Sequence, residues 1–250
     1  MKILVPVKRV PDPYIRVGLT ANGEIDTTDL KWVVNPFDEI ALEEAVRIRE
    51  RLSNVEIVAV SAGGSEVEQI LRIALAMGAD RAILAEIESE LDPGMVTAIL
   101  HAVAVSEQPQ LILMGKQAID DDNSQIGPRL AAKLEVPQAT FASAIELLEN
   151  GASARVTREV DGGQEVIEVR LPAVITADLR LNEPRYVALP AIIKARTKPL
   201  QRVNAEELCT LPSPQIRVIH RSLPPDRKAG RRVANVPELI SLLRSEAKVI

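Results

Sequence analysis

Short apolar runs alternate with amphipathic segments along the first half of this chain. Residues 3–7 are apolar and β-branched and read as a strand. Pro11, Pro13 and Gly23 break the next stretch into loops. From Pro36, the apolar residues Ile40, Leu42, Ala45, Val46 and Ile48 fall near helical spacing, with Glu43, Glu44, Arg47 and Arg49 between them. Residues 55–60, 81–85 and 111–114 read as further strands, each followed by a helical pattern at 65–77, 94–105 and 125–134. This alternation predicts an α/β fold: an open, mostly parallel sheet with flanking helices, Rossmann-like in form.

The rhythm changes near Val136. Residues 144–148, 154–160 and 165–170 look like strands joined by tight turns, with Asp161-Gly162-Gly163 as a hairpin turn between two of them. Ala173–Ala177 is apolar again and suited to a return into the main sheet. After Pro190 the chain becomes basic and rich in proline, and Pro199, Pro212, Pro214, Pro224 and Pro225 favour extended backbone. A short helix over residues 237–246 closes it. The expected organisation is an α/β nucleotide-binding domain at 1–198, with a small antiparallel hairpin addition. An extended C-terminal arm at 199–250 comes after it, suited to wrapping a partner and expected to be poorly ordered alone.

Composition narrows the function classes. Of 250 residues, 46% are hydrophobic but only 2% aromatic, so the core is aliphatic, and the composition argues against stacking platforms for single-stranded nucleic acid. A net charge of −5 argues against general nucleic-acid binding. One Cys, Cys209, forms no internal disulfide, and two His leave little for a metal site. The N-terminus is too quickly charged for a signal segment, and no run approaches the roughly 20 apolar residues of a spanning helix. The expectation is a cytoplasmic protein without membrane insertion.

The strongest candidate for chemistry is the passage from Leu111 to Gly127, where a buried strand opens into a polar, Asp-rich turn and then a helix. In parallel sheets ligands sit at such junctions, and a helix start offers free N–H groups to a phosphate. No Walker or G-x-G-x-x-G spacing is present, so the reading is a mononucleotide held by backbone N–H groups with Asn123, Ser124 and Gln125. An ordinary acidic surface turn is the alternative reading. Asn35 and Asp38 flank a helix start and are suited to capping or to a base contact, capping being the commoner role. Phe37 is a core staple or a wall for a flat ring. Leu189, Pro190, Ile192 and Ile193 lie beside the basic Lys194, a composition suited to an exposed docking anchor or a core-facing turn. No catalytic constellation is visible. Asp120, Asp121 and Asp122 are consecutive, so their side chains are expected to diverge.

Several longer segments point further: Val7-Lys-Arg-Val10, Asn35-Pro-Phe37, Ala74-Leu-Ala-Met-Gly-Ala-Asp-Arg81, the run Gly115 to Asp122, Arg158-Glu-Val-Asp-Gly-Gly163 and Ala177 to Tyr186. Through them, and over essentially its whole length, the sequence resembles the β subunit of electron transfer flavoprotein. The resemblance implies a heterodimer with an α subunit, one FAD held mainly by α, and a structural AMP in β. It implies electron carriage from flavin dehydrogenases, such as acyl-CoA dehydrogenases, to a membrane quinone oxidoreductase. By motif, the AMP site comprises Pro6, Asn35, Pro36, Phe37, Asp38 and Ala62. It continues through Gly115, Lys116, Gln117, Ala118, Ile119, Asp120, Asp121, Asp122, Asn123, Ser124, Gln125 and Ile126. Phe37 and Tyr14 would approach the flavin from β. Leu189 would lead a recognition loop, 189–196, inserting into a dehydrogenase. Ile126 stands where many AMP-binding members have Thr, and is closer to electron-bifurcating relatives that bind a second FAD in place of AMP. Asp121 and Asn123 would crowd that larger ligand, which favours AMP. A nucleotide-sensing α/β regulatory protein is the alternative of another class.

Overall fold

The β-branched runs become strands because each is covered on both faces, and alternate side chains serve opposite layers. In the computed structural model, which describes residues 1–148, 151–226 and 229–250, β1 (Lys2–Pro6) lies near the centre of a nine-stranded sheet. Two short antiparallel pairs come next, β2 (Arg9–Pro11) with β5 (Trp32–Val34) and β3 (Gly18–Leu19) with β4 (Ile25–Asp26), where the sequence pattern suggests loops. Helix α1 (Pro36–Arg51), β6 (Glu56–Gly63), α2 (Glu68–Met77), β7 (Arg81–Glu86), α3 (Pro93–Glu107), β8 (Leu111–Gly115) and α4 (Ile126–Leu134) then alternate as the periodicity predicts.

Ile3 and Val5 pack with Ile57, Leu111 and Leu113 against α1 and α2. Leu4, Val58, Val60, Ile112 and Met114 point the other way, against α3 and α4. β1, β6 and β8 are thus buried on both faces, with Ile3, Leu4 and Val5 fully inaccessible.

The strand order is β11-β10-β9-β12-β8-β1-β6-β7-β13. From β1 the chain steps to β6 and β7 on one side, and α3 then carries it across to β8 on the other side of β1. The carboxyl end of β1 is therefore a topological switch point, where the crossovers diverge and leave a crevice.

Strands β9 (Gln138–Leu148), β10 (Ser153–Val160) and β11 (Gly163–Arg170) form the antiparallel addition, and β12 (Ala173–Ala177) returns between β9 and β8 in parallel register. β9 is longer than the pattern suggests. Its first half pairs in parallel with β12 and its second half with β10, so one strand joins sheet to hairpin.

After α5 (Leu189–Ala195) the structure departs from the expected extended chain. Leu200–Asn204 is β13, the ninth strand, parallel to β7, and α6 (Ala205–Leu208) comes directly after it with Ala205 buried. Sheet pairing at an open edge overrides the local proline signal. From Thr210 the described residues form no helix or strand until α7 (Val236–Leu242), which buries none of its side chains. Among the described residues, no helix is long and apolar enough to cross a membrane.

Candidate functional site

The ends of β1, β6 and β8 surround a cavity of about 690 Å³ at the switch point. Pro6 and Ala62 line it from the first two strands, and Gly115, Lys116, Gln117 and Ala118 from the third. Asn35 and Asp38 line it from the start of α1, and Asp120, Asp121, Asn123, Ser124, Gln125 and Ile126 from the loop into α4. Five residues expected at the nucleotide or flavin site do not line it: Tyr14, Pro36, Phe37, Ile119 and Asp122. Phe37 is buried, its ring centroid 5.3 Å from the ammonium of Lys116, whereas Tyr14 is 95% exposed.

The side chain of Asn35 does not cap α1, the commoner role for its position. Its backbone carbonyl takes the helix N–H groups of Asp38 and Glu39, which frees the amide for the Asp-rich loop. Nδ2 donates to the Gln117 carbonyl at 2.8 Å, and Oδ1 accepts from the Ile119 N–H at 3.2 Å. A residue 82 positions upstream thus holds the loop in place.

Asp38 performs a similar role between two strands. Its carboxylate accepts the N–H of Lys8 at 2.8 Å and the N–H of Gly115 at 3.0 Å, joining the chain just past β1 to the end of β8. Burial pushes its pKa up to about 7, against the pull of those two N–H donors. A Cβ at Gly115 would collide with the Asp38 carboxylate and with Phe37, so only glycine permits this approach.

The consecutive acids do not all diverge. Asp120 and Asp121 converge on the ammonium of Lys8, at 2.8 and 3.1 Å, and Asp122 turns to Gln117. Beyond that pair, Asp122 and Ser124 both adopt a φ of 53°, in the left-handed region that non-glycine residues rarely enter. These two residues lie just before the start of α4, whose first residues Ile126 and Gly127 line the cavity.

Four cations line the cavity. Lys8 is paired as described, Lys116 is paired with Asp178 at 2.8 Å, and Arg221 of the arm is paired with Glu24 at 2.9 Å. Arg9 is different: its guanidinium lies 3.9 Å from the Trp32 ring centroid, and its buried Nε has no hydrogen-bond partner. The arm meets the same rim, because Asp92, the N-cap of α3, also accepts the Gln215 N–H at 2.6 Å.

Away from the cavity, α5 presents Leu189, Pro190, Ile192, Ile193 and Lys194 to solvent, with Leu189 68% exposed. Ala195 alone is buried, and Arg72 of α2 grips the carbonyls of Ala195 and Lys198 at 3.1 and 2.9 Å. The segment is thus anchored by its backbone while its apolar side chains remain outside, so the core-facing alternative does not hold.

Residues 23–208 match the family model described as "Electron transfer flavoprotein domain". Over its full length the chain is 46% identical to the whole of the electron transfer flavoprotein subunit beta of Bradyrhizobium diazoefficiens. It is 47% identical to the whole mitochondrial subunit beta of Arabidopsis thaliana, and 43% identical to 99% of the subunit beta of Mus musculus. The chain belongs to the electron transfer flavoprotein β-subunit family.

Within this electron transfer flavoprotein β-subunit fold, Lys8, Arg9, Glu66, Asp92 and Arg221 also line the cavity, and the sequence pattern does not single them out. Lys8 and Arg9 lie in the Val7-Lys-Arg-Val10 segment, whose two adjacent cations directly after a buried strand are a usable signal. Asp92 reaches the rim as the N-cap of α3 in the β7–α3 connection, whereas Arg221 carries no signal, because only the path of the arm brings it there.

Proposed function

We propose that the chain is the β subunit of a heterodimeric electron carrier that holds AMP in the switch-point cavity. The observation that carries this reading is the cavity itself, enclosed by strand ends that Asn35, Asp38 and Gly115 lock together, in a chain of this family. The lining residues fit a nucleotide. Ile126 and Gly127 at the α4 start carry backbone N–H groups, Arg9 carries an unpartnered donor, and Lys8 offsets part of the charge of the two loop acids that would repel a phosphate. No redox group is evident among the lining side chains. The electron-carrying chemistry would come from FAD bound mainly by an α subunit, with this chain supplying part of its wall.

The exposed α5 face is the docking element for flavin dehydrogenases, Leu189 leading, with electrons passing on to a quinone oxidoreductase. The apolar, unburied α7 and the arm before it suit an α subunit as their cover.

Co-expression with its α subunit tests the reading. The expected product is a yellow heterodimer with one FAD, releasing AMP on denaturation, identified by mass and absorbance. Two flavins and no AMP would instead support a bifurcating β subunit with a second FAD. Release of neither nucleotide would reject the assignment.

A further inference from the structure

We infer that Arg9 is the anion-binding side chain of the nucleotide cavity, contacting the phosphate of the bound nucleotide. The inference rests on the nucleotide reading above and adds to it the residue that distinguishes a nucleotide from a nucleoside.

Elimination among the charges leads to Arg9. Lys8 is held by Asp120 and Asp121, Lys116 by Asp178 and Arg221 by Glu24. Arg9 forms no ion pair among the described residues. Glu66 acts on it only through space, and burial without a partner pulls its pKa below the ordinary arginine value while leaving it charged. A buried N–H without an acceptor is costly, and native structures supply one in nearly every case. Nε of Arg9 is such a group, and the residue carrying it lines a cavity built for a ligand.

The side chain is also prepared for the task. The guanidinium lies against the Trp32 ring, which fixes its plane at little rotamer cost and leaves its edge free. β2 and β5 set that stack, since Arg9 pairs with Val34 and Pro11 with Trp32 across the short ladder. A planar donor fork held in this way suits phosphate oxygens better than a mobile ammonium does. The rest of the lining makes the site selective. Glu66, Glu88 and Glu90 bring negative charge, so a phosphate is favoured only where Arg9 offsets it.

The test uses the full-length chain stripped of nucleotide, titrated calorimetrically with AMP and with adenosine, while emission of Trp32, its sole tryptophan, is followed. Wild type is expected to bind AMP more tightly than adenosine, with Trp32 emission responding to AMP and not to adenosine. Arg9→Ala is expected to weaken AMP about 10- to 100-fold, the range for a hydrogen bond to a charged group, with adenosine unchanged. Arg9→Lys keeps the charge but loses the Nε–H; it is expected to fall between the two, and it carries the comparison if the alanine variant does not fold. Unchanged AMP affinity in the variants overturns the inference. So does equal weakening of AMP and adenosine, which marks a merely structural role for the stack. If wild type binds neither compound, the nucleotide reading itself fails.

Discussion

The guanidinium of Arg185 closes on the carboxylate of Glu43, 142 residues earlier in the chain. Nε donates to Oε2 at 2.8 Å and a terminal nitrogen to Oε1 at 3.1 Å, while the backbone N–H of Arg185 reaches the same carboxylate at 3.2 Å. Glu43 is buried in α1, and Glu50 further along the helix takes the remaining nitrogen at 2.8 Å. Asn182 adds a bond to the Ile40 carbonyl. The segment before α5 is thus fastened to the helix that begins at the switch-point cavity.

Loss of this clamp should loosen α5 before it unfolds the chain. Arg185→Ala leaves a buried carboxylate with Arg47 alone and is expected to cost about 2 kcal/mol, below the full value for a buried pair because Arg185 is partly exposed. Hydrogen exchange should quicken over residues 187–196 and remain unchanged in β1 and β6. Uniform acceleration across the chain would argue against a local anchor.

Leu189→Ala addresses docking with stability held constant. The side chain is exposed, so the unfolding free energy from urea melts should stay within about 0.5 kcal/mol of wild type. Electron transfer from partner dehydrogenases is expected to fall. Unchanged rates with every partner would remove α5 from the docking role.

Asp38 should make stability fall with rising pH. Its folded pKa, about 7, lies above the ordinary 3.8, so the folded state holds the proton more tightly than the unfolded state. Its contribution is complete below about pH 4 and is lost as pH rises through 7, a span worth roughly 4 kcal/mol. Denaturant melts at pH 5 to 8 should show this slope in wild type and not in Asp38→Asn.

Glu107 works in the opposite direction at the far end of the sheet. Its hydrogen bonds to Arg81, with Lys2 adding its charge, hold its pKa at about 2. That contribution is present above about pH 4.5 and is lost as pH falls toward 2, roughly 1–2 kcal/mol after solvent screening. Glu107→Gln should flatten acid unfolding without altering nucleotide affinity, because the group lies at the amino ends of β1 and β7.

Gly127→Ala tests the close approach of α4 to the sheet. A Cβ there would collide with the Thr176 methyl on β12, so a loss of about 1–3 kcal/mol is expected, with α4 displaced from the cavity. Thr176→Ser in the same chain should recover part of the loss in thermal melts.

Much of this is legible along the chain. The runs at Ile3, Val58, Leu84 and Ile112 read as strands because a strand covered on both faces must be apolar throughout, and Ala173–Ala177 reads as part of the sheet for the same reason. The Asp-rich loop, Asn35 and Asp38 stand out as candidates for the cavity, and the Leu189 segment as an anchor. β13 is not legible. Leu200–Asn204 has little apolar character and is only partly buried, and what makes it a strand is the unpaired edge of β7 beside it.

The sequence by itself therefore determined the alternation of elements, the aliphatic core and the family, because each depends on local pattern or on long matching segments. Tertiary structure alone decided the roles of the charges. That Lys8 binds two loop acids, that Asn35 holds a loop rather than capping a helix, and that Arg9 is left without a partner all depend on groups far apart in the chain. Partnership between charges is set by distance in space, and local periodicity carries no record of it.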